Sequence, residues 1–196
     1  MRRGQTPSQT VGPFFAYCLA PAQYGYPFAD IAGPTLADAE CAGEHIRLTG
    51  RVLDGDGKAI DDALVEIWQA DSQGRYAHPA DSRGTNAPFT GFGRCGTGTD
   101  AERRFVFDTV KPGAIGDGQA PHVNIVLFMR GLLSHLYTRA YFSDEAEANA
   151  ADPVLAALPA DRRATLIAER EPSPAGIVYR FDIHMQGARE TVFFDV

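Results

Sequence analysis

Ile177-Val178-Tyr179-Arg180-Phe181-Asp182-Ile183-His184-Met185-Gln186 is the stretch on which the fold turns. Tyr179, Phe181, Ile183 and Met185 alternate along it with Arg180, Asp182, His184 and Gln186. Successive side chains of a strand point to opposite faces, so a period of two reads as a strand with one face on a core and one in water. A half-buried strand of this kind belongs to an antiparallel sheet, because parallel sheets are covered on both faces.

Other segments carry the same signal. Strands are expected over 45–54, 64–69, 105–110, 122–130, 135–142 and 191–196. The first is closed by the turn Asp54-Gly55-Asp56-Gly57, and the third is stopped by Lys111-Pro112-Gly113. Helical signal is confined to 143–170, in pieces 144–151, 153–158 and 161–170, with Asp161 as the N-cap of the last. Pro7, Pro13, Pro21, Pro27 and Pro34 interrupt any helix or central strand in residues 1–44. That segment reads as an extended arm, yet Phe14, Phe15, Tyr17, Tyr24, Tyr26 and Phe28 make it too aromatic for a free tail. The expectation is a mainly β chain of one domain, 1–196. It has an extended N-terminal arm and an antiparallel β-sandwich core, 45–196, with a short helical insertion.

The formal net charge of −7 excludes a basic nucleic-acid face, and it means that an anionic substrate needs a local cation. Cys18, Cys41 and Cys95 are scattered and odd in number, which is no disulfide framework and favours a reduced compartment. No signal-type apolar stretch follows Met1-Arg2-Arg3, and no apolar run approaches the roughly 20 residues that span a bilayer. A cytoplasmic location without membrane contact is expected.

Gly91-Phe92-Gly93-Arg94-Cys95-Gly96 has the spacing G-x-G-x-x-G, but Thr97-Gly98-Thr99-Asp100 follows instead of a helix that could bind a pyrophosphate. It reads as a loop. There is no G-x-S-x-G elbow, and His45, His78, His122, His135 and His184 have no metal-site spacing among them. On these grounds the chain is a β domain of open function.

Three ordered segments narrow this. Trp68-Gln69-Ala70-Asp71-Ser72-Gln73-Gly74-Arg75-Tyr76 resembles the stretch of the intradiol ring-cleaving dioxygenases that ends in an iron-ligating tyrosine. Lys111-Pro112-Gly113-Ala114-Ile115 is similar to the segment where that family places a second ligand tyrosine. Ala120-Pro121-His122-Val123-Asn124-Ile125 resembles its A-H-[IV]-H-[FV] strand, and Tyr179-Arg180-Phe181-Asp182-Ile183 also fits. The resemblance runs from Thr6 to Val196.

The family binds non-haem Fe(III) through two tyrosinates and two histidines, hard and borderline donors suited to a ferric ion. By the match, Tyr76 and His122 stand at ligand positions, Ile115 where the second tyrosine belongs and Asn124 where the second histidine belongs. Residues 122 and 124 share a strand face, so the place for a second ligand survives without the ligand. An aliphatic side chain has no lone pair, and a neutral amide is a poor ferric donor. The resemblance is therefore to the iron-free chains of two-chain members. It implies no metal and no catalytic residue in this chain alone, with Fe(III) held by an iron-bearing β subunit.

Thr6-Pro7-Ser8-Gln9-Thr10-Val11-Gly12-Pro13-Phe14 resembles the arm that such iron-free chains extend into the partner's site. The resemblance implies that Thr10, Gly12 and Pro13 line the substrate pocket, and that Arg130 lies beside it. In a regular strand Arg130 would share a face with His122 but sit about 27 Å along it, too far to serve the positions around His122. Arginine suits the carboxylate of protocatechuate; an ordinary surface ion pair is the alternative for Arg130. The implied reaction takes protocatechuate and O2 to 3-carboxy-cis,cis-muconate, in αβ units that assemble further. The rival readings are a transthyretin-like, non-enzymatic binding or assembly module, and an enzyme acting alone with water or another side chain at the vacant ligand positions.

Overall fold

The structure is a computed structural model that describes residues 4–85, 88–174 and 176–196; Met1-Arg2-Arg3 lie outside the described residues. Among the described residues nine strands are formed. They are β1 (His45–Leu53), β2 (Leu64–Gln69), β3 (Phe92–Gly96), β4 (Arg104–Val110), β5 (His122–Phe128), β6 (Leu136–Phe142), β7 (Ile167–Ser173), β8 (Gly176–Arg180) and β9 (Ile183–His184). Hydrogen-bonded neighbours follow the order β3-β2-β5-β6-β7-β8-β1-β4, with β9 beside β1.

Two layers share one core. Val65, Ile67, Val123, Ile125 and Leu127 from one layer meet Leu48, Phe105, Phe107 and Tyr179 from the other in a single buried cluster. Across the layers Gln69 donates to Val110 O at 2.8 Å and accepts from the Thr109 hydroxyl at 3.1 Å, so the buried amide is satisfied. β7 joins the layers: Ile167 and Ala168 pair with β6, and Glu169 to Ser173 pair with β8.

The mainly β sandwich is as expected, but its pairing is mixed. β1 runs parallel to both β8 and β9, and β6 runs parallel to β7. The alternating stretch is also two strands, not one. It breaks at Phe181–Asp182, where the Asp182 carboxylate accepts from Arg51 N at 3.0 Å in place of a backbone carbonyl. Gly50 permits the crossing, since a Cβ there would lie 1.8 Å from Phe181 O.

Several local expectations are corrected. The G-x-G-x-x-G segment is not a loop, because Phe92–Gly96 forms β3 and pairs with β2. Residues 167–170 begin β7 instead of ending a helix. Residues 191–196 make only a bridge, Phe194 to Tyr137, beside an otherwise irregular C-terminus. The helical insertion comprises α2 (Ala146–Ala151), α3 (Pro153–Ala156) and α4 (Ala160–Arg163), then a 3-10 turn. Its capping residue is Asp152 and not Asp161, which lies inside the first turn of α4. The fully buried Asp152 accepts from Val154 N and Leu155 N, as an N-cap does, and from Ala120 N at 2.8 Å.

Helix also occurs outside the insertion, as the short α1 (Phe15–Leu19) in the arm. The arm is packed on the chain's own sheet. Thr35 bridges Asp108 of β4, and Gly33 O accepts from Arg94 N of β3 at 3.0 Å. The glycines of β3 make room for it: a Cβ at Gly93 would lie 2.4 Å from Leu36 Cδ1, and one at Gly96 would lie 2.2 Å from Tyr24 Oη. No helix among the described residues is long and apolar enough to cross a membrane. All three cysteines are free, with Cys41 and Cys95 buried.

Candidate functional site

β5 carries a candidate site at each end. At its start, the outward face carries His122 and Asn124, and the register sets Trp68 and Arg139 on either side of Asn124 and Tyr141 beside His122. The loop after β2 returns Tyr76 onto this face, its ring stacked on Trp68 at 5.6 Å and 7°. Asp71 folds that loop by accepting from Gln73 N and Arg75 N. Gly74, at φ +74°, lets the loop press on Ala114 and Ile115. Of the four positions marked by the resemblance, Tyr76, His122 and Asn124 gather on one side of the sheet, and the backbone of Ile115 lies against the Gly74 turn that leads to Tyr76.

Arg139 occupies their midst. Its Nε donates to Asn124 Oδ1 at 3.0 Å, and Nη1 donates to Gln119 Oε1 at 2.9 Å and to the Tyr141 hydroxyl at 3.4 Å. Asn124 therefore spends its amide oxygen on a guanidinium. Burial raises the Tyr76 hydroxyl above its usual range, and Arg139 and Asn124 only partly oppose this, so the phenol keeps its proton at neutral pH. His122 is buried, and its Nδ1 lies 2.8 Å from Ala120 O. A carbonyl only accepts, so that contact puts the ring proton on Nδ1 and leaves the buried Nε2 without a partner among the described residues. Burial pushes the His122 pKa down to about 4.

This donor set does not fit a ferric ion. Ile115 offers only carbon, Asn124 is engaged by Arg139, and that guanidinium places a fixed positive charge beside Tyr76 and His122. Of the histidine and tyrosine positions that match, His122 keeps an unpartnered ring nitrogen and Tyr76 a phenol oxygen, two donors where the family uses four.

The other site lies beyond the end of β5. The strand stops at Phe128, two residues short of the expected bound, so Arg130 sits on the β5–β6 turn and not on the strand face. The arm runs against this turn. Gly131 N donates to the Thr10 hydroxyl at 2.8 Å, and the Phe15 ring lies 5.4 Å from that of Phe128. Thr10, Gly12, Pro13 and Arg130 are all exposed, and a Cβ at Gly12 would meet nothing within 4 Å in this chain. Arg130 Nε donates to Asp62 Oδ2. The structure thus brings Thr10 and Arg130 to one turn, with Gly12 and Pro13 following along the same arm, at the end of β5 away from His122.

Arg139 and Asp62 escaped the sequence reading. For Arg139 a signal existed, since alternation over 136–142 sets Tyr137, Arg139 and Tyr141 on one face. Its partnership with Asn124 depends on cross-strand register, which the sequence leaves open. Asp62 lies in an unpatterned loop and had no signal.

A dioxygenase family model matches residues 12–187. The chain is 56% identical to the protocatechuate 3,4-dioxygenase alpha chain of Burkholderia cepacia over 98% of both chains. It is 37% identical to the beta chain from the same organism, over 83% of this chain and 73% of that one. An intradiol ring-cleavage dioxygenase from Tetranychus urticae has a similar fold, with TM-score 0.61 over 92% of this chain and 94% of the other; at 18% identity it speaks for the fold alone. The family match, the alpha-chain likeness and the shared sandwich lead to one assignment: this chain belongs to the intradiol ring-cleavage dioxygenase family.

Proposed function

We propose that this chain is the iron-free α subunit of a protocatechuate 3,4-dioxygenase and acts only in complex with an iron-bearing β subunit. The assembled enzyme cleaves protocatechuate with O2 to 3-carboxy-cis,cis-muconate. The family uses non-haem iron, and here that iron belongs to the partner chain. The observation that carries the reading is the donor set around β5. Positions 115 and 124 hold an isoleucine and an asparagine, and Arg139 is hydrogen-bonded to that asparagine.

The contribution of this chain is then at the other end of β5. Thr10, Gly12 and Pro13 form a wall of the partner's substrate pocket, and Arg130 supplies the cation that a carboxylated ring requires in a chain of net charge −7. In support, the arm is fixed to the Arg130 turn by the Thr10–Gly131 hydrogen bond. Gly12 is open on this chain's side, so a flat ring or partner backbone has room to approach it. The aromatic side chains Phe14, Tyr26 and Phe28 remain exposed on the arm, as a surface covered in an αβ unit would be. The αβ units assemble further, and a reducing, cytoplasmic setting fits the three free thiols.

The test is expression of this chain alone and together with a β chain, measuring iron content, visible absorption and oxygen uptake with protocatechuate. Tyrosinate-to-ferric charge transfer makes these centres reddish. Colour and activity are expected only in the co-expressed complex. Stoichiometric iron and ring cleavage by this chain alone would overturn the reading, and the absence of any complex would favour a non-enzymatic module.

A further inference from the structure

Arg130 lies past the end of its strand with a side chain 56% exposed, so nothing in β5 fixes its guanidinium. Asp62 supplies the fixed point. Its side chain is only 19% exposed and accepts from Arg130 Nε. The turn that carries Asp62 is itself held. The buried Thr97 donates its hydroxyl to Ile60 O at 2.8 Å and accepts from Ala63 N at 3.2 Å, and Asp61 pairs with Arg103. β2 begins at Leu64, whose partner on β5 is Phe128, so residues 62 and 130 flank the same end of that strand pair. Thr10 fixes the backbone of the turn at Gly131. Arg130 is thus framed from two sides.

The ion pair engages Nε, and among the described residues Nη1 and Nη2 of Arg130 take no hydrogen bond. The Nη pair is the fork that meets a second carboxylate with two parallel bonds.

We propose that Asp62 is a positioning residue, which aims the outer fork of Arg130 at the carboxylate of an aromatic acid and so sets the preference for carboxylated over plain catechols. The inference rests on the reading of Arg130 given above. Orientation and charge oppose each other here: losing the orientation weakens substrate binding, whereas losing a negative charge beside an anionic substrate strengthens it. The sign of the effect therefore separates the two roles.

The experiment uses the assembled enzyme with its iron-bearing partner. KM and kcat are measured for protocatechuate and catechol, with equilibrium binding of 4-hydroxybenzoate and phenol as a readout independent of turnover. Asp62→Ala is expected to raise KM for protocatechuate and weaken 4-hydroxybenzoate binding by about 5- to 10-fold, with kcat and the catechol and phenol values within about twofold. Asp62→Glu restores part of the loss, and Asp62→Ala adds nothing in an Arg130→Ala background. Asp62→Asn keeps the shape and serves if the alanine variant does not assemble, with a smaller rise expected. A lowered or unchanged KM for protocatechuate, an equal rise for both substrates, or an undiminished effect without Arg130 would each overturn the proposal. If Arg130→Ala leaves the preference between substrates intact, the reading of Arg130 fails and takes the proposal with it. A normal Arg130→Ala loss with a silent Asp62→Ala removes the proposal only.

Discussion

Gln23 of the arm pairs with Gly96 of β3 in both directions: its Nε2 donates to Gly96 O at 2.7 Å and its Oε1 accepts from Gly96 N at 2.8 Å. The side-chain amide takes the place of a neighbouring strand residue and blunts an open sheet edge. Replacement by alanine leaves both Gly96 groups without their partner. Gln23→Ala should cost about 1–2 kcal/mol and raise the tendency to aggregate. Thermal unfolding and light scattering of the complex measure both effects, and an unchanged midpoint would mean that water replaces the amide without loss.

Two glycines should respond unequally to the same added methyl group. At Gly50 the Cβ would lie 1.8 Å from a backbone oxygen, Phe181 O, which cannot swing away. At Gly93 the nearest atom is Leu36 Cδ1, the end of a flexible side chain. Gly50→Ala should cost on the order of 4 kcal/mol or more and yield little folded protein, whereas Gly93→Ala should cost about 1–2 kcal/mol. Soluble yield and denaturation midpoints of the two variants, compared side by side, decide this.

The buried His122 makes stability depend on acid. Its pKa is pushed down to about 4, chiefly by burial, with Arg139 acting in the same sense and Ala120 O and Asp152 opposing. In the unfolded chain the imidazole takes a proton near pH 6.5, so the unfolded state is favoured as pH falls from about 6.5 through about 4. The loss should reach about 3 kcal/mol at the bottom of that window. His122→Phe, which cannot titrate, should flatten the difference between denaturation midpoints at pH 7 and pH 4.5. An equal slope in both proteins would assign the acid sensitivity to other groups.

Removing the Arg130 guanidinium should act on one substrate more than on another. Arg130→Ala should raise KM for protocatechuate by roughly 10- to 100-fold, the range of charge-assisted hydrogen bonds, and leave catechol nearly unchanged. Steady-state kinetics with both substrates reads this directly. Equal effects would indicate a packing role.

Much of the sandwich was legible because alternation is local. β2 was placed to the residue, and β1, β4 and β6 to within one. The failures share a cause. The segment of β3 reads as a loop because no helix follows its glycines, yet Gly93 and Gly96 are small to admit Leu36 and Tyr24 of the arm, contacts about sixty to seventy residues distant in sequence. The first four residues of β7, 167–170, read as helix because 161–170 is rich in helix-forming residues; pairing with β6 and β8 outweighs that propensity. The alternating stretch 177–186 has the right faces, and its break at Phe181–Asp182 rests on a contact with another strand, where Gly50 leaves room for Phe181 O.

The same division holds at the candidate site. Sequence by itself determined that positions 115 and 124 carry no ferric donor, since side-chain chemistry does not depend on the fold, and that 122 and 124 share a face. It could not determine that Arg139 holds the Asn124 oxygen, or that Asp62 holds Arg130. Those contacts depend on strand register and on the path of loops, which are fixed only when the two layers close on a common core.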